Sequence, residues 1–352
     1  MPQPTVVGPR TVEVPSVLRI ASGAIDTLAD LLSSHFDVSE VVIVTGASAS
    51  WQIASTLQHE LRSDGHDVRE FRDPRGDTSS VTDLVEILDQ RPASLLVAFG
   101  GGRPTDVAKL AASRTKIDLV VVPTILSHDG ICSPVASVVT GDNRRRSLPA
   151  ATPTGIVIDT ALLASAPERY LRAGVGDLLS NITAVADWRL ASDGGAEPID
   201  EIAASMALAA AQSVLEVDWP PSEHSIGTIA RGLVMSGLAM EIAGSSRPCS
   251  GAEHLISHAL DELHPGASTL HGEQVALGTL ISSYAQDHPE RQPIVDLFER
   301  IGFPATARGW GWTEEDLVRA VEHAPDTRPD RRTILDIDAS RSARALVAAV
   351  SQ

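Results

Sequence analysis

The chain has 352 residues, a formal net charge of −18 and a hydrophobic fraction of 43%. This length suits about two domains, and the composition is that of a globular protein with a sizeable core. The negative charge argues against binding to nucleic acid or to an anionic membrane surface, because its field repels polyanions, although a local pocket for one phosphate remains possible.

Cysteine content and the N-terminal segment indicate the compartment. Cys132 and Cys249 are too few for a disulfide framework and fit a reducing environment. The first ten residues, MPQPTVVGPR, lack the apolar core of a signal peptide. No run approaches the roughly 18 uninterrupted apolar residues of a membrane span. We therefore expect a cytoplasmic protein with no membrane-spanning segment.

The first half of the sequence alternates between strand and helix patterns. Short aliphatic runs predict buried strands, and runs with a period of 3.6 predict helices. In chain order these are a strand at 41–44, a helix through 51–61, a strand at 68–71, a helix at 81–90, a strand at 94–99, a helix at 106–113 and a strand at 119–122. Apolar strands that alternate with helices predict a parallel sheet covered on both faces.

From about residue 160 the pattern changes. Long stretches rich in Ala and Leu, above all 202–216 and 225–243, predict helices without convincing strands between them. The expected fold class is therefore an α/β domain with a parallel sheet over residues 1–160, followed by an all-helical domain over residues 161–352.

A glycine-rich turn joins the strand at 94–99 to the next helix. Gly100, Gly101 and Gly102 let the backbone approach a pyrophosphate, and a helix N-terminus offers free N–H groups to an anion. The spacing matches neither the dinucleotide fingerprint nor a Walker loop, so a phosphate site and a tight turn without a ligand both stay open. Asp106 lies where a carboxylate caps a helix start, which favours a structural role over a catalytic one.

Three separated segments supply side chains that bind metals. Asp177 follows a pair of glycines and could instead cap a helix. His254 and His258 are one helical turn apart and share a face, and Glu253 precedes the first histidine, unlike the order in HExxH proteases. His271 opens another apolar helical stretch. Each segment has a structural explanation when taken alone, but one carboxylate and two imidazoles together make a three-ligand catalytic metal site.

Five segments together carry a family resemblance. They are GGGRPTDVAK, VPTILSHDGICSPVAS, AGVGDLLSN, SRPCSGAEHLISHALD and HGEQVALGT. Over about residues 40–285 the sequence resembles the sn-glycerol-1-phosphate dehydrogenases of the iron-containing alcohol dehydrogenase and dehydroquinate-synthase-like superfamily. The resemblance implies an α/β nucleotide-binding domain, a helical metal domain, and reversible NAD(P)H-dependent reduction of dihydroxyacetone phosphate to sn-glycerol 1-phosphate.

The same resemblance implies the cofactors and partners. It implies NAD or NADP together with one divalent metal ion, for which zinc is our expectation and nickel or iron are accepted by the same ligands. It also implies a small phosphorylated ketone or polyol as substrate, a homo-oligomer, and a role that includes phospholipid metabolism.

The resemblance also assigns roles to individual residues. Asp177, His254 and His271 would bind the metal. Gly100, Gly101 and Gly102, with Asp106 in the same segment, would hold the cofactor pyrophosphate, and Thr124, Ser127 and Ser133 would line the nicotinamide side. Asp129 would face the substrate and take part in catalysis.

Three further residues have two possible roles each. His258 would bind substrate and supply a proton, as an imidazole can near neutral pH, or it would support the metal ligands. His128 would bind substrate or orient its loop. Arg247 would bind the substrate phosphate, for which a guanidinium is well suited, or form a structural salt bridge.

Three other functions compete with this interpretation. A dehydrogenase of another polyol or polyol phosphate would share all of these residues. A sugar-phosphate cyclase, which is a lyase, would need a basic cluster around its substrate, whereas lysine occurs only at Lys109 and Lys116. A non-catalytic binding protein is disfavoured because the glycine turn, Asp129 and the three metal ligands are all present.

Overall fold

The computed structural model describes residues 11–47, 49–142, 144–337 and 342–351. Contacts between residues divide the chain into two compact units, Glu13–Glu168 and a second that takes in Arg169 and the residues after it. The first unit is α/β and the second is helical, which confirms the predicted fold class.

The α/β unit contains a six-stranded sheet in the order β1-β8-β5-β4-β2-β3. Its strands are β1 (Val17–Ala21), β2 (Glu40–Thr45), β3 (Asp67–Arg72), β4 (Leu95–Gly100), β5 (Asp118–Pro123) and β8 (Gly155–Asp159). All neighbouring strands are parallel. A separate antiparallel hairpin consists of β6 (Val135–Val139) and β7 (Arg145–Pro149). The helices of this unit are α1 (Leu28–His35), α2 (Ala49–Ser63), α3 (Thr78–Gln90), α4 (Gly102–Thr115) and α5 (Thr160–Ala164).

Strand β4 is buried along its whole length, as expected for the run LLVAFG between two parallel neighbours. Phe99 of β4 packs in a core with Ile43 of β2 and with Leu28 and Leu57 of the first two helices. In the register of β4 with β5, Gly100 lies opposite Pro123. The glycine turn and the loop after β5 therefore leave the sheet side by side at the carboxyl ends of the strands, where α/β sheets bind ligands.

The four predicted strands correspond to β2, β3, β4 and β5. Strands β1 and β8, and the hairpin of β6 and β7, were not predicted. The run GIVID of β8 is buried throughout and has the composition of a strand, but it ends next to residue 160, where the sequence pattern changes to helical. The domain boundary at residue 160 stays a prediction, and residue 160 is the first residue of α5.

The described residues from 169 onward contain helices and no strand. The helices are α6 (Glu168–Asp193), α7 (Glu201–Gln212), α8 (Glu223–Ala243), α9 (Ala252–Leu263), α10 (His271–Ala285), α11 (Arg291–Ile301), α12 (Glu314–Thr327), α13 (Ile334–Ile337) and α14 (Ala343–Val350). Among the described helices, α8 alone has the length and apolarity of a membrane span, but 61% of its most apolar window is buried inside the protein. That burial is typical of a core helix in a globular domain.

Two glycines allow close packing of α6, α9 and α10. A Cβ at Gly176 in α6 would lie 2.5 Å from the carbonyl oxygen of Gly272 in α10. A Cβ at Gly278 in α10 would lie 2.4 Å from the carbonyl oxygen of Glu253 in α9. Backbone therefore meets backbone at both contacts, and these contacts set the spacing of the three helices that carry the predicted metal ligands.

Candidate active site

The structure brings the three predicted metal ligands together in the helical unit. Asp177 comes from α6, His254 from α9 and His271 from the first residue of α10, and one donor atom of each lies within 4.8 Å of the others. The Nε2 atoms of His254 and of His271 are each 3.7 Å from Oδ1 of Asp177. Three donors on three helices thus point at one common position.

Asp177 lies well inside α6, so the alternative that it caps a helix is wrong. Helix α6 begins at Glu168 and continues to Asp193. The glycine before Asp177 does not end a loop but lets α10 approach, as described above. The carboxylate is almost completely buried, and a buried carboxylate needs compensating partners or a cation.

The environment of His254 suits a metal ligand. Its Nδ1 is 3.1 Å from Oε1 of Glu253, and the carboxylate of Glu253 also accepts a hydrogen bond of 2.8 Å from Oγ1 of Thr183. Burial, together with the positive charges of Arg328 and Arg331, lowers the pKa of His254 to about 3. The ring is therefore neutral near pH 7, and with Nδ1–H bound to Glu253 its Nε2 lone pair is available to a cation.

His258 lies one turn after His254 on α9, and its ring centroid is 6.5 Å from that of His271. Burial lowers the pKa of His258 well below its usual value, and the charge of Arg328 adds to this effect. The structure thus places His258 beside the ligands, as both of its predicted roles require. Near pH 7 any proton that it donates would come from the N–H of a neutral ring.

The glycine turn of the α/β unit is sterically tight. Gly100 has a φ of +151°, which favours glycine, and a Cβ there would lie 2.7 Å from Cγ of Pro104. A Cβ at Gly101 would lie 2.6 Å from Cδ1 of Ile125. A Cβ at Gly102 would lie 2.7 Å from Nε2 of His128. Packing alone therefore accounts for all three glycines. Gly101 is also the N-cap of α4 and has no side chain to cap the first amides, so an anion can bind there.

Asp106 does not cap α4, which corrects its predicted structural role. Because α4 begins at Gly102, Asp106 lies a full turn inside the helix. Burial raises its pKa to about 7, and the nearby ammonium of Lys109 and a hydrogen bond from the backbone of Ser137 oppose that rise. Its contribution to cofactor binding stays a prediction.

Lys109 organises the loop after β5 and was not singled out by sequence reasoning. Its ammonium is completely buried and donates hydrogen bonds to the carbonyl oxygens of Gly130, at 2.8 Å, and Val135, at 2.6 Å. It also donates to Oγ of Ser133, at 3.2 Å. One side chain of α4 thereby ties down the segment from Gly130 to Val135, which directly follows Asp129. The signal was present in the sequence, since lysine is so rare in this chain.

The loop residues predicted for nicotinamide and substrate have different environments. Ser133 is buried and its hydroxyl also donates to the carbonyl oxygen of Val135, which favours a structural role. Thr124 and Ser127 are half-buried directly after β5. Nδ1 of His128 accepts a hydrogen bond from the backbone of Gly130, so its loop-orienting role is supported. Asp129 begins a short 3₁₀ turn.

Arg247 forms the structural salt bridge that was one of its two predicted roles. Its guanidinium makes a close ion pair with Glu197 and donates a hydrogen bond of 2.9 Å to the carbonyl oxygen of Arg332. Only 3% of the side chain is exposed. These contacts support the structural role over phosphate binding.

Comparison with known proteins places the chain in a family. The family described as iron-containing alcohol dehydrogenase matches residues 19–167. The chain is 38% identical over 328 residues to a glycerol-1-phosphate dehydrogenase [NAD(P)+] of Thermofilum pendens, covering 92% of this chain and 93% of that protein. It is 36% identical to the protein of the same name from Methanosarcina mazei, covering 97% and 96% of the two chains.

Solved structures agree on the fold. A probable glycerol dehydrogenase from Sinorhizobium meliloti superposes with a TM-score of 0.77 at 23% identity and covers 97% of each chain. Glycerol dehydrogenase from Schizosaccharomyces pombe gives a TM-score of 0.78 at 20% identity, covering 98% of this chain and 90% of the other. With the curated relatives above, these matches show that the chain belongs to the glycerol-1-phosphate dehydrogenase family of iron-containing alcohol dehydrogenases.

Proposed function

We propose that this protein is a metal-dependent dehydrogenase that reversibly reduces dihydroxyacetone phosphate to sn-glycerol 1-phosphate with NADH or NADPH. The observation that carries the proposal is the convergence of Asp177, His254 and His271 on one position. The curated relatives, which share over a third of their residues with this chain, bear the name of that activity.

The donor set fits a divalent ion. One carboxylate and two neutral imidazoles are ligands that zinc, nickel and iron accept, and three protein ligands leave a position for substrate. We propose zinc. When bound, the metal supplies Lewis-acid polarisation of the substrate carbonyl, and the nicotinamide supplies the hydride.

The residues of the chain itself hold the cation, orient its ligands and deliver a proton to the substrate. In the helical unit, Asp177 adds negative charge that offsets the charge of a bound cation, and Glu253 orients His254. His258 is our candidate for the group that passes a proton to the developing alkoxide: one ring nitrogen gives up its N–H while the other takes a proton from water, so the ring stays neutral. Its position beside His271 supports this assignment.

In the α/β unit, the first amides of α4 and the turn of Gly100, Gly101 and Gly102 are our proposed site for the cofactor pyrophosphate. Thr124 and Ser127 are proposed to contact the nicotinamide, and Asp129 to bind the substrate hydroxyls. Lys109 holds the loop that carries them. We further propose a homo-oligomer that works in the cytoplasm in phospholipid synthesis.

The test is oxidation of NADH and of NADPH with dihydroxyacetone phosphate. The protein is stripped with a chelator, reloaded with zinc, nickel or iron, and compared with His271→Ala and with His224→Ala, an exposed histidine outside the site. We expect metal-dependent oxidation that His271→Ala abolishes and His224→Ala leaves intact. Turnover of unphosphorylated dihydroxyacetone at the same rate, or oxidation that ignores the metal, would refute the proposal.

A further inference from the structure

A chain of hydrogen bonds leads away from His271 on the side opposite the metal position. Nδ1 of His271 is 3.4 Å from Oγ of Ser257 on α9, a long hydrogen bond. Oγ of Ser257 donates a bond of 2.8 Å to Oε1 of Gln274 on α10. Nε2 of Gln274 donates in turn to Oδ1 of Asp261 and to Oγ1 of Thr269, both at 3.0 Å. Ser257 and Gln274 are buried.

The far end of this chain fixes its direction. A carboxylate accepts hydrogen bonds and does not donate them, so the amide nitrogen of Gln274 must face Asp261 and its oxygen must face Ser257. That oxygen only accepts, so the single proton of the Ser257 hydroxyl is used on Gln274. The hydroxyl oxygen is then left as an acceptor toward His271.

The consequence for His271 is a defined tautomer. An acceptor at Ser257 requires the proton of the neutral ring to be on Nδ1, which leaves the Nε2 lone pair facing Asp177. This is the reverse of the tautomer that free histidine favours in water. Glu253 has the same effect on His254 by a single direct contact, so both ligands present Nε2.

We propose that Asp261, Gln274 and Ser257 form a directional relay that holds His271 in the tautomer that binds the metal. These three are positioning residues, which act on the ion only through His271. The inference rests on the metal site proposed above. Groups that orient metal-binding histidines change metal affinity by about 10- to 100-fold when they are removed.

Three variants and two measurements test the relay. Ser257→Ala removes the link, and Asp261→Asn keeps the shape but lets the amide of Gln274 turn round. The control is Ser283→Ala, a buried serine of α10 whose hydroxyl donates only to the carbonyl oxygen of Leu280 within its own helix. Zinc affinity is measured by competition with a coloured chelator. The tautomer of His271 is read from nitrogen-15 NMR of the metal-free protein labelled at histidine and assigned with His271→Ala.

We expect zinc affinity to fall about 10- to 100-fold in Ser257→Ala and about 10-fold in Asp261→Asn, with no change in Ser283→Ala. We also expect the proton of His271 to move from Nδ1 toward Nε2 in both relay variants. Unchanged tautomer and affinity in both would overturn the relay. Failure of the wild-type protein to take up zinc would overturn the metal site, while the metal-free tautomer would still decide the relay.

Discussion

The helical unit and the α/β unit fix their functional segments with opposite kinds of chemical group. In the helical unit, acceptors orient the Nδ1–H groups of two imidazoles on the side of each ring away from the metal position. Glu253 is the acceptor for His254, and the oxygen of Ser257 is the acceptor for His271. In the α/β unit, the carbonyl oxygens of Gly130, in the loop after β5, and of Val135, at the start of β6, are held by a donor, the buried ammonium of Lys109. The group that needs orienting dictates its partner: a ring N–H needs an acceptor, whereas a backbone carbonyl needs a donor.

The largest expected effect comes from removing the donor in the α/β unit, the ammonium of Lys109. Lys109→Met leaves the carbonyl oxygens of Gly130 and Val135 without their donor, and each unsatisfied buried acceptor costs about 1–3 kcal/mol. We expect the free energy of unfolding to fall by about 3 kcal/mol and NADH to bind more weakly. Urea unfolding and cofactor titration measure both quantities.

The matched control is Lys116→Met, the other lysine of the chain, which is exposed. It is expected to change stability by less than about 0.5 kcal/mol. Equal losses in the two variants would mean that the hydrogen bonds of Lys109 contribute nothing specific to the loop.

The next effect tests whether backbone contact, rather than side chains, sets the spacing of the metal ligands. Gly278→Ala places a methyl group against the backbone of Glu253, and overpacking of this kind costs about 1–3 kcal/mol. We expect a loss of about 2 kcal/mol in the free energy of unfolding and weaker zinc binding, as α10 moves from α9. Gly141→Ala, with nothing within 4 Å of its Cβ, is the control. Unchanged zinc affinity in Gly278→Ala would show that the helices can separate without harm to the site.

A smaller effect is expected from changing an acceptor in the helical unit, the carboxylate of Glu253. Glu253→Gln keeps the shape of the side chain but removes the charge that orients His254, so zinc affinity is expected to fall about 10-fold. Glu262→Gln, at the exposed end of the same helix α9, should bind zinc like the wild type. Competition titration measures both. If the two variants bind equally, Glu253 is no more than a packing residue.

A further effect is a pH dependence of stability in the α/β unit. The native pKa of Asp106, about 7, lies above the ordinary value of 3.8, so the native state holds a proton that the unfolded chain releases. The resulting stability is fully present below about pH 4 and is lost as the pH rises through 7, by at most about 1.4 kcal/mol per unit. Asp106→Asn should flatten the decline of the unfolding temperature between pH 5 and pH 7. An unaltered slope would contradict the raised pKa, and exposed Asp118→Asn is the control.

The regular α/β pattern and the three ligand types could be predicted because they depend on local sequence. Strands β2, β4 and β5 are short apolar runs, and His271 opens a helix in the sequence as in the structure. Asp106 was wrongly predicted to cap a helix, and the helix cap that stood as the alternative role of Asp177 is wrong too. A glycine before an aspartate looks the same in sequence whether it ends a loop or admits a neighbouring helix.

The supporting residues could not be predicted because their partners are distant in sequence. Thr183 reaches Glu253 from α6, and Gln274 on α10 bonds with Ser257 and Asp261 on α9. These residues come into contact only when the helices pack against one another. Arg247 shows the converse: its chemistry suits a phosphate, but its fold position gives it Glu197 as a partner.

The glycine contacts at Gly176 and Gly278 have a thermodynamic consequence. Because backbone atoms already touch there, the packing of the protein itself sets the spacing of the helices that carry the ligands. Little of the binding free energy of an ion is then spent on reorganising the protein, in contrast to zinc fingers, whose folding depends on the metal. The site is preorganised, so one ion can be exchanged for another while the helical unit stays folded.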